Sequence, residues 1–313
     1  MKKKYVISLI VLALGIVLMF VGFLHDGVHP LYFSNKHNLV IGSKNKHVYR
    51  KINNQEVSGI KAISIENNSN VSIQPSSDPR IIVYNSKENN SGLSISNHEL
   101  RVTGNENSGF MLVGLFQNVS NKTEIYLPEN VYLNYIHQYN QSGDVFIKDI
   151  NTKEMSLSGG SVHLQNVNAQ VTIKIGSTDG DVHLSNVKAN NTILNADDGD
   201  ISIVNSIFNK GESQIVDSDG DVTFKNATFD SLYCNVSDGD INFYNLLANK
   251  KINAQSEDGD ISGKIINDKN VKINAKSDDG STDVYQPNNY TDPKHLKTYS
   301  FYTSDGDVNI SKR

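Results

Sequence analysis

The sequence predicts an all-β protein: a single-stack β-solenoid, one coil per repeat, preceded by one transmembrane helix. Three observations predict it. From Ser142 onward a turn of the form DGD or SGD recurs with a period near 20 residues, and a fixed period of that size marks stacked repeats rather than an ordinary globular core. Between the turns, apolar and polar residues alternate with the period of a strand. At the N-terminus, an uncharged run at residues 5–24 follows MKKK.

That run comes first in the chain. At about 1.5 Å per helical residue it matches the roughly 30 Å hydrocarbon layer. Lys2, Lys3 and Lys4 should stay on the cytoplasmic side. A secretory signal has a shorter apolar region ending in a small-x-small site, whereas this run continues into HDGVHPLYF. A signal-anchor is therefore expected. It makes the chain a single-pass protein of the cell membrane, with residues 1–24 as cytoplasmic lysines and helix. Residues 25–55, polar and rich in lysine, read as an extracytoplasmic linker, and residues 56–313 as the β-repeat domain.

Composition narrows the function. Aliphatic and aromatic residues make up 37% of the 313, with no Trp and six Pro. Without the three leading lysines, 26 Lys and Arg stand against 34 Asp and Glu, a balance that argues against nucleic acid as a partner. One cysteine, Cys234, excludes an intramolecular disulfide framework.

Alternation starts near Ile60 in KAISIENNSNVSIQP and continues through RIIVYNS, GLSISN and HELRVTG, punctuated by Asn and Ser. GFMLVGLF at residues 109–116 is too short to span a membrane and reads as a buried strand or internal loop. TEIYLPENVYLNYIHQYNQ is a strand pair broken at Pro128.

The repeats centre on Gly143, Gly160, Gly180, Gly199, Gly220, Gly239, Gly259, Gly280 and Gly306. Two residues after the glycine stand Val145, Val162, Val182, Ile201, Val222, Ile241, Ile261 and Val308. Four after it stand Ile147, Leu164, Leu184, Ile203, Phe224, Phe243 and Ile310. Five before it stand Met155, Ile175, Leu194, Ile215, Cys234, Ala254 and Ala275. Each repeat thus supplies two short strands with one apolar face, which only neighbouring coils can bury. The phase slips between positions four and seven, implying a corner or bulge. There Asn166, Asn186, Asn205, Asn226 and Asn245 recur and predict an asparagine ladder. The last segment, with the longest spacing, reads as an elongated loop returning to a final coil.

The aspartates are the densest polar cluster. Asp179, Asp198, Asp219, Asp238 and Asp258 precede their glycines; Asp181, Asp200, Asp221, Asp240 and Asp260 follow them. Stacked in register they form two columns of like charge, which repel. Outward splaying, bonds to turn amides or divalent cations would relieve this. Calcium, an oxygen-binding cation, is the candidate metal. Turn chemistry explains the same residues without it, so no cofactor is assigned.

No catalytic residue is assigned either. The acids recur uniformly, whereas an active site is a local exception. Cys234 falls in an inward column and reads as a small buried hydrophobe. His163 and His183 hold equivalent outward positions and should lie side by side, two ligands short of a zinc site. LPENV at residues 127–131 lacks the features of a wall-sorting signal.

The SGD/DGD turn followed by V-x-L-x-N, with strand pairs at a period near 20, resembles the DUF4097 family. TEIYLP and YLNYIHQYNQSGDVFIKDI are similar to that family's lead-in to its repeats. The resemblance covers residues 60–313 and implies an adhesin-like surface protein, with no catalytic residue to carry over. Related proteins include those encoded beside envelope-stress systems in low-GC Gram-positive bacteria, which the anchor and the Asn- and Lys-rich composition fit. Gly159-Gly160-Ser161 and Ser281 depart from the acidic pattern. The expected function is a non-enzymatic cell-envelope adhesin or scaffold that binds a cell-wall polymer or an envelope protein. An accessory component of a stress-sensing system, acting through a membrane partner, is the alternative.

Overall fold

The computed structural model describes Gly15 and residues 31–33, 39–41, 48–51, 57–85, 92–104, 111–113, 122–139, 143–266, 270–287 and 292–312. Apart from Gly15, the expected membrane anchor lies outside the described residues. Among the described residues no helix is long and apolar enough to cross a membrane. The chain divides into two compact units. The smaller contains the strands Leu31–Phe33, Leu39–Ile41 and Met111–Val113, which form an antiparallel sheet. The segment at 109–116 therefore contributes a strand.

The larger unit is the expected stack. Two parallel ladders run through it. One takes Val145–Lys148, Val162–Gln165, Val182–Ser185, Ile201–Val204 and Val222–Lys225, then the start of Ile241–Asp258 and Ile261–Ile265. The other takes Tyr132–Tyr139, Asn151–Gly159, Thr172–Asp179, Asn191–Asp198 and the later parts of the longer strands that follow. Equivalent residues pair directly: Val162, Val182, Ile201, Val222, Ile241 and Ile261 form one continuous column. All six are buried. Shape-matched rings fill the same interior, with Phe224 and Phe243 stacked at 5.7 Å and Phe208 and Phe229 at 5.1 Å.

The slip in phase is a left-handed corner. Asn166, Asn186, Asn205, Asn226 and Asn245 have φ between 49° and 63°, a conformation that Asn tolerates better than other side-chain-bearing residues. Their amides bond along the stack, Asn186 to Asn166 at 3.0 Å, Asn226 to Asn205 at 3.0 Å and Asn245 to Asn226 at 2.8 Å. Asp149 shares the conformation (φ 55°) and accepts from Asn166 at 2.7 Å, so a carboxylate heads the ladder. Beyond the corner a short third ladder joins Asn168–Ala169, Lys188–Ala189 and the corresponding parts of the next strands.

The ends of the stack are not the ends of the sequence. Strands Lys297–Asp305 and Val308–Lys312 do not form the last coil. They lie between the coil at 251–265 and the coil at 271–284, pairing with both. The same device closes the other end. Ala62–Glu66 lies between Glu99–Thr103 and Tyr132–Tyr139, and Asn70–Pro75 between Lys122–Leu127 and Val145–Lys148. Antiparallel strand Gly92–Ser96 then follows on one ladder, and on the other Arg80–Asn85, which pairs in turn with Val48–Lys51. A strand held on both edges cannot fray as a terminal edge strand does. The long spacing before Gly306 is the length of chain needed to cross the coil at 271–284 and return beneath it.

Tyr299 shows what the inserted coil contributes. It is buried, and its hydroxyl donates to the Ala248 carbonyl at 2.6 Å, closing the short third ladder. Tyr299→Phe leaves that carbonyl without this partner and is expected to cost about 1–3 kcal/mol, read as a lower urea midpoint with unchanged slope.

Candidate functional site

The two aspartate columns lie where the sequence places them, in register from coil to coil: Asp179 with Asp198, then Asp219, Asp238 and Asp258. The column after the glycine is not a row of free carboxylates. Asp181 accepts the amide of Asp200 at 3.0 Å, Asp200 that of Asp221 at 3.0 Å, Asp221 that of Asp240 at 2.9 Å and Asp240 that of Asp260 at 2.8 Å. Asp260 then accepts from Asp307 at 2.7 Å, and Asp307 from the amide and hydroxyl of Ser281. Those two bonds hold the Asp307 carboxyl below its ordinary value. Each carboxylate thus meets a partial positive charge from the next coil, which offsets repulsion along the column.

The glycine between the aspartates permits this approach. A Cβ at Gly239 would lie 2.3 Å from the Gly220 carbonyl oxygen, and the φ there is +143°. Only a residue without a side chain lets successive turns sit close enough for the ladder of bonds. Among the described residues, no three His, Cys, Asp or Glu side chains are gathered to hold a metal ion. Calcium takes six to eight oxygen ligands, and the aspartates after the glycine already spend an oxygen on an amide.

A different feature has the character of a binding surface. Strand Tyr132–Tyr139 alternates so that Ile136 and Gln138 are buried while Tyr135, His137 and Tyr139 face outward. Tyr135 and His137 stack at 4.5 Å, and His137 meets Tyr139 edge-on at 6.0 Å. Tyr139 is 59% exposed. On one side of this row the register places Glu154, Ser156 and Ser158. On the other it places Ala62 and Ser64, then Glu99 and Arg101. Arg101 lies 3.4 Å from Glu99 and 3.9 Å from Glu66. Partial burial, with Glu99 adding to it, holds the Tyr135 phenol above its ordinary pKa. A second, shorter aromatic column crosses coils on the other ladder. Phe146 pairs with His163 and His163 with His183, whose rings are 6.2 Å apart.

The Toastrack family DUF4097 matches residues 60–311. The chain belongs to this family. Among solved structures, it is similar to a candidate lipid-binding protein from Parabacteroides distasonis, with a TM-score of 0.51 at 16% identity over 86% of this chain and 98% of that one. It is also similar to a candidate adhesin from Bacteroides fragilis (TM-score 0.41, 16% identity, 87% and 98% covered). A candidate adhesin from Parabacteroides merdae gives a TM-score of 0.40 at 12% identity, with 86% and 98% covered. The first of these likenesses shows the shared fold. No curated protein matches the chain.

One position in this Toastrack stack is apolar in three coils, at Leu157, Ala196 and Val236, and carries a hydroxyl in four others. Three residues before the turn glycine, Ser177, Ser256, Ser277 and Thr303 donate to the glycine carbonyl of the neighbouring coil, at 2.5, 3.0, 2.7 and 2.8 Å. Asp217 occupies that position in its coil. It is 0% exposed and neither carboxyl oxygen has a hydrogen-bond partner. Burial pushes its pKa up to about 7, with Asp200 and Asp219 adding repulsion and the nearby amides of Ser218 and Asp219 offsetting part of it. Cys234 is buried as expected, and burial followed by the Asp217 charge raises its thiol pKa.

The sequence reading found the aspartate columns, the Asn ladder, the paired histidines and the buried cysteine. It passed over the Tyr135–His137–Tyr139 row, although its Y-x-H-x-Y pattern is the signal for three rings on one face of a strand. It also passed over Asp217, whose identity is unremarkable until its column is known.

Proposed function

We propose that this Toastrack protein is a non-catalytic surface protein of the cell envelope, an adhesin or scaffold whose β-stack binds a cell-wall polymer. In this reading residues 5–24 hold it in the cell membrane with the N-terminus cytoplasmic. Residues 25–55 carry the repeat domain away from the bilayer. The carrying observation is the outward row of Tyr135, His137 and Tyr139 along one strand. Rings with an apolar face and a polar tip suit a ligand with apolar C–H faces and many hydroxyls. The carboxylates and hydroxyls along both sides supply acceptors and donors for such a ligand. A rigid in-register sheet holds the groups ready, which reduces the ordering cost of binding.

The test is co-sedimentation of the detergent-solubilised full chain with purified cell-wall sacculi. Saturable binding is expected, with affinity reduced about tenfold or more by the Tyr135→Ala/Tyr139→Ala double substitution. Chelation of calcium should leave it unchanged. If the chain fails to sediment with the wall yet is retained by a membrane protein through residues 1–55, the wall-binding reading is lost to the stress-sensor alternative.

A further inference from the structure

The fourth position after the turn glycine is a large apolar residue in coil after coil: Leu164, Leu184, Ile203, Phe224 and Phe243, and then Ile310 in the inserted coil. In the coil between Phe243 and Ile310 it is Gly263. Its φ is +139°, and a Cβ there would lie 2.1 Å from the Phe243 carbonyl oxygen. No side chain can be placed at this point without moving the neighbouring backbone. The same coil lacks an asparagine corner and is one residue shorter there, since Tyr244 pairs with Lys264 but Leu246 with Ile265.

A groove of about 510 Å³ crosses the strands at this break in the repeat. That volume lies within the range of small-ligand sites. Gly263 forms its floor beside Phe243 and Ile310. The register sets Ser262, Asn309 and Asp283 along one wall, because Ser262 pairs with Asn309 and Asp283 with Asn309. Tyr244, Lys264 and Ser311 follow in order along the other, and Tyr285 lines it in the outermost coil. From the coil of Tyr244 to that of Tyr285 is three strand spacings, roughly 14 Å. Tyr244 is 53% exposed.

We propose that this groove binds a short segment of a neutral polysaccharide. Tyr244, exposed at one end, offers a ring face for the C–H face of a sugar ring, while the partly buried Tyr285 lines the other end. The Asn309 amide both donates and accepts, as sugar hydroxyls require, and the Ser262 and Ser311 hydroxyls, which donate to Asn242 and to the Gly263 carbonyl, keep lone pairs to accept. The charged lining is one cation, Lys264, and one anion, Asp283, so the site carries no net field to select a polyanion or a polycation. The site is local to the coil that departs from the repeat, and the length of the groove suits several units of an extended chain rather than a single ring.

This site is separate from the row at Tyr135 to Tyr139, and the experiment keeps the two apart. The full chain in detergent micelles is titrated with chitotetraose, cellotetraose and maltotetraose, and with poly(glycerol phosphate) as an anionic control. Tyrosine fluorescence reports binding, since the chain has no Trp. At least one neutral oligosaccharide is expected to bind and the polyanion not to. Tyr244→Ala and Asn309→Ala, both at exposed positions that leave the core intact, should each weaken that binding about tenfold. Tyr135→Ala/Tyr139→Ala should leave it unchanged. The proposal is overturned if none of the three oligosaccharides binds, if only the polyanion binds, or if binding survives both groove substitutions and is lost in the Tyr135→Ala/Tyr139→Ala variant.

Discussion

Replacing Asp217 by Asn or Thr is expected to stabilise the protein at pH 8 and to change little at pH 4. The carboxyl is fully buried without a hydrogen-bond partner, and its pKa is pushed from 3.8 up to about 7. The sign follows from proton binding. Between these two values the folded state holds a proton on Asp217 that the unfolded chain has released, so stability falls as pH rises through the interval. Below about pH 4 both states are protonated and nothing is lost. Above about pH 7 the loss is complete. Roughly three pKa units correspond to an effect on the order of 4 kcal/mol.

Asparagine matches the shape of the neutral acid and cannot ionise. Threonine reproduces Thr303, which donates to the Gly259 carbonyl; the equivalent carbonyl for position 217 is that of Gly199. Urea midpoints of the parent and both variants at pH 4, 6 and 8 measure the difference. Other carboxylates titrate alike in all three chains and cancel. A difference that stays constant across this range would show that Asp217 ionises freely in the folded protein and that the burial argument is wrong.

Truncation after residue 296 is expected to disorder the coil at 271–284 although every residue of that coil is retained. The inserted strands are its pairing partners on both ladders. They also bring Tyr299, Phe301, Val308 and Ile310 into the core, a contribution of roughly 6–12 kcal/mol at 1.5–3 kcal/mol for each buried side chain. The orphaned coil is poorly suited to move down one level. Thr282 stands where its neighbours have Ile261 and Val308, and it is exposed. Ala275 is only half-buried. Hydrogen exchange of the truncated chain reads the result: amides of 271–279 should lose protection, with those of 251–265 weakened and those of 145–225 unchanged. Retained protection in 271–279 would mean that the coil has re-paired with 251–258 and that insertion is dispensable.

Much of this protein is written locally. The glycine period, the β-branched column at the second position, the large apolar column at the fourth and the asparagines at the sixth determined the solenoid, its register and its corner. Each coil repeats the same local rules, so aligning the sequence with itself already reveals what stacks on what. The same logic put the aspartates in two columns and Cys234 in the core. What the columns do was decided in three dimensions, because an amide from the next coil, absent from any single repeat, turns a row of like charges into a chain of hydrogen bonds. The order of coils at both ends belongs to the tertiary structure too. An inserted coil carries the same DGD turn as its neighbours, and the sequence marks its position only by a long spacing. Asp217 and Gly263 are visible as letters but acquire meaning from their neighbours. Burial gives one a raised pKa and the coils on either side of the other line a groove, and both surroundings are properties of the assembled stack.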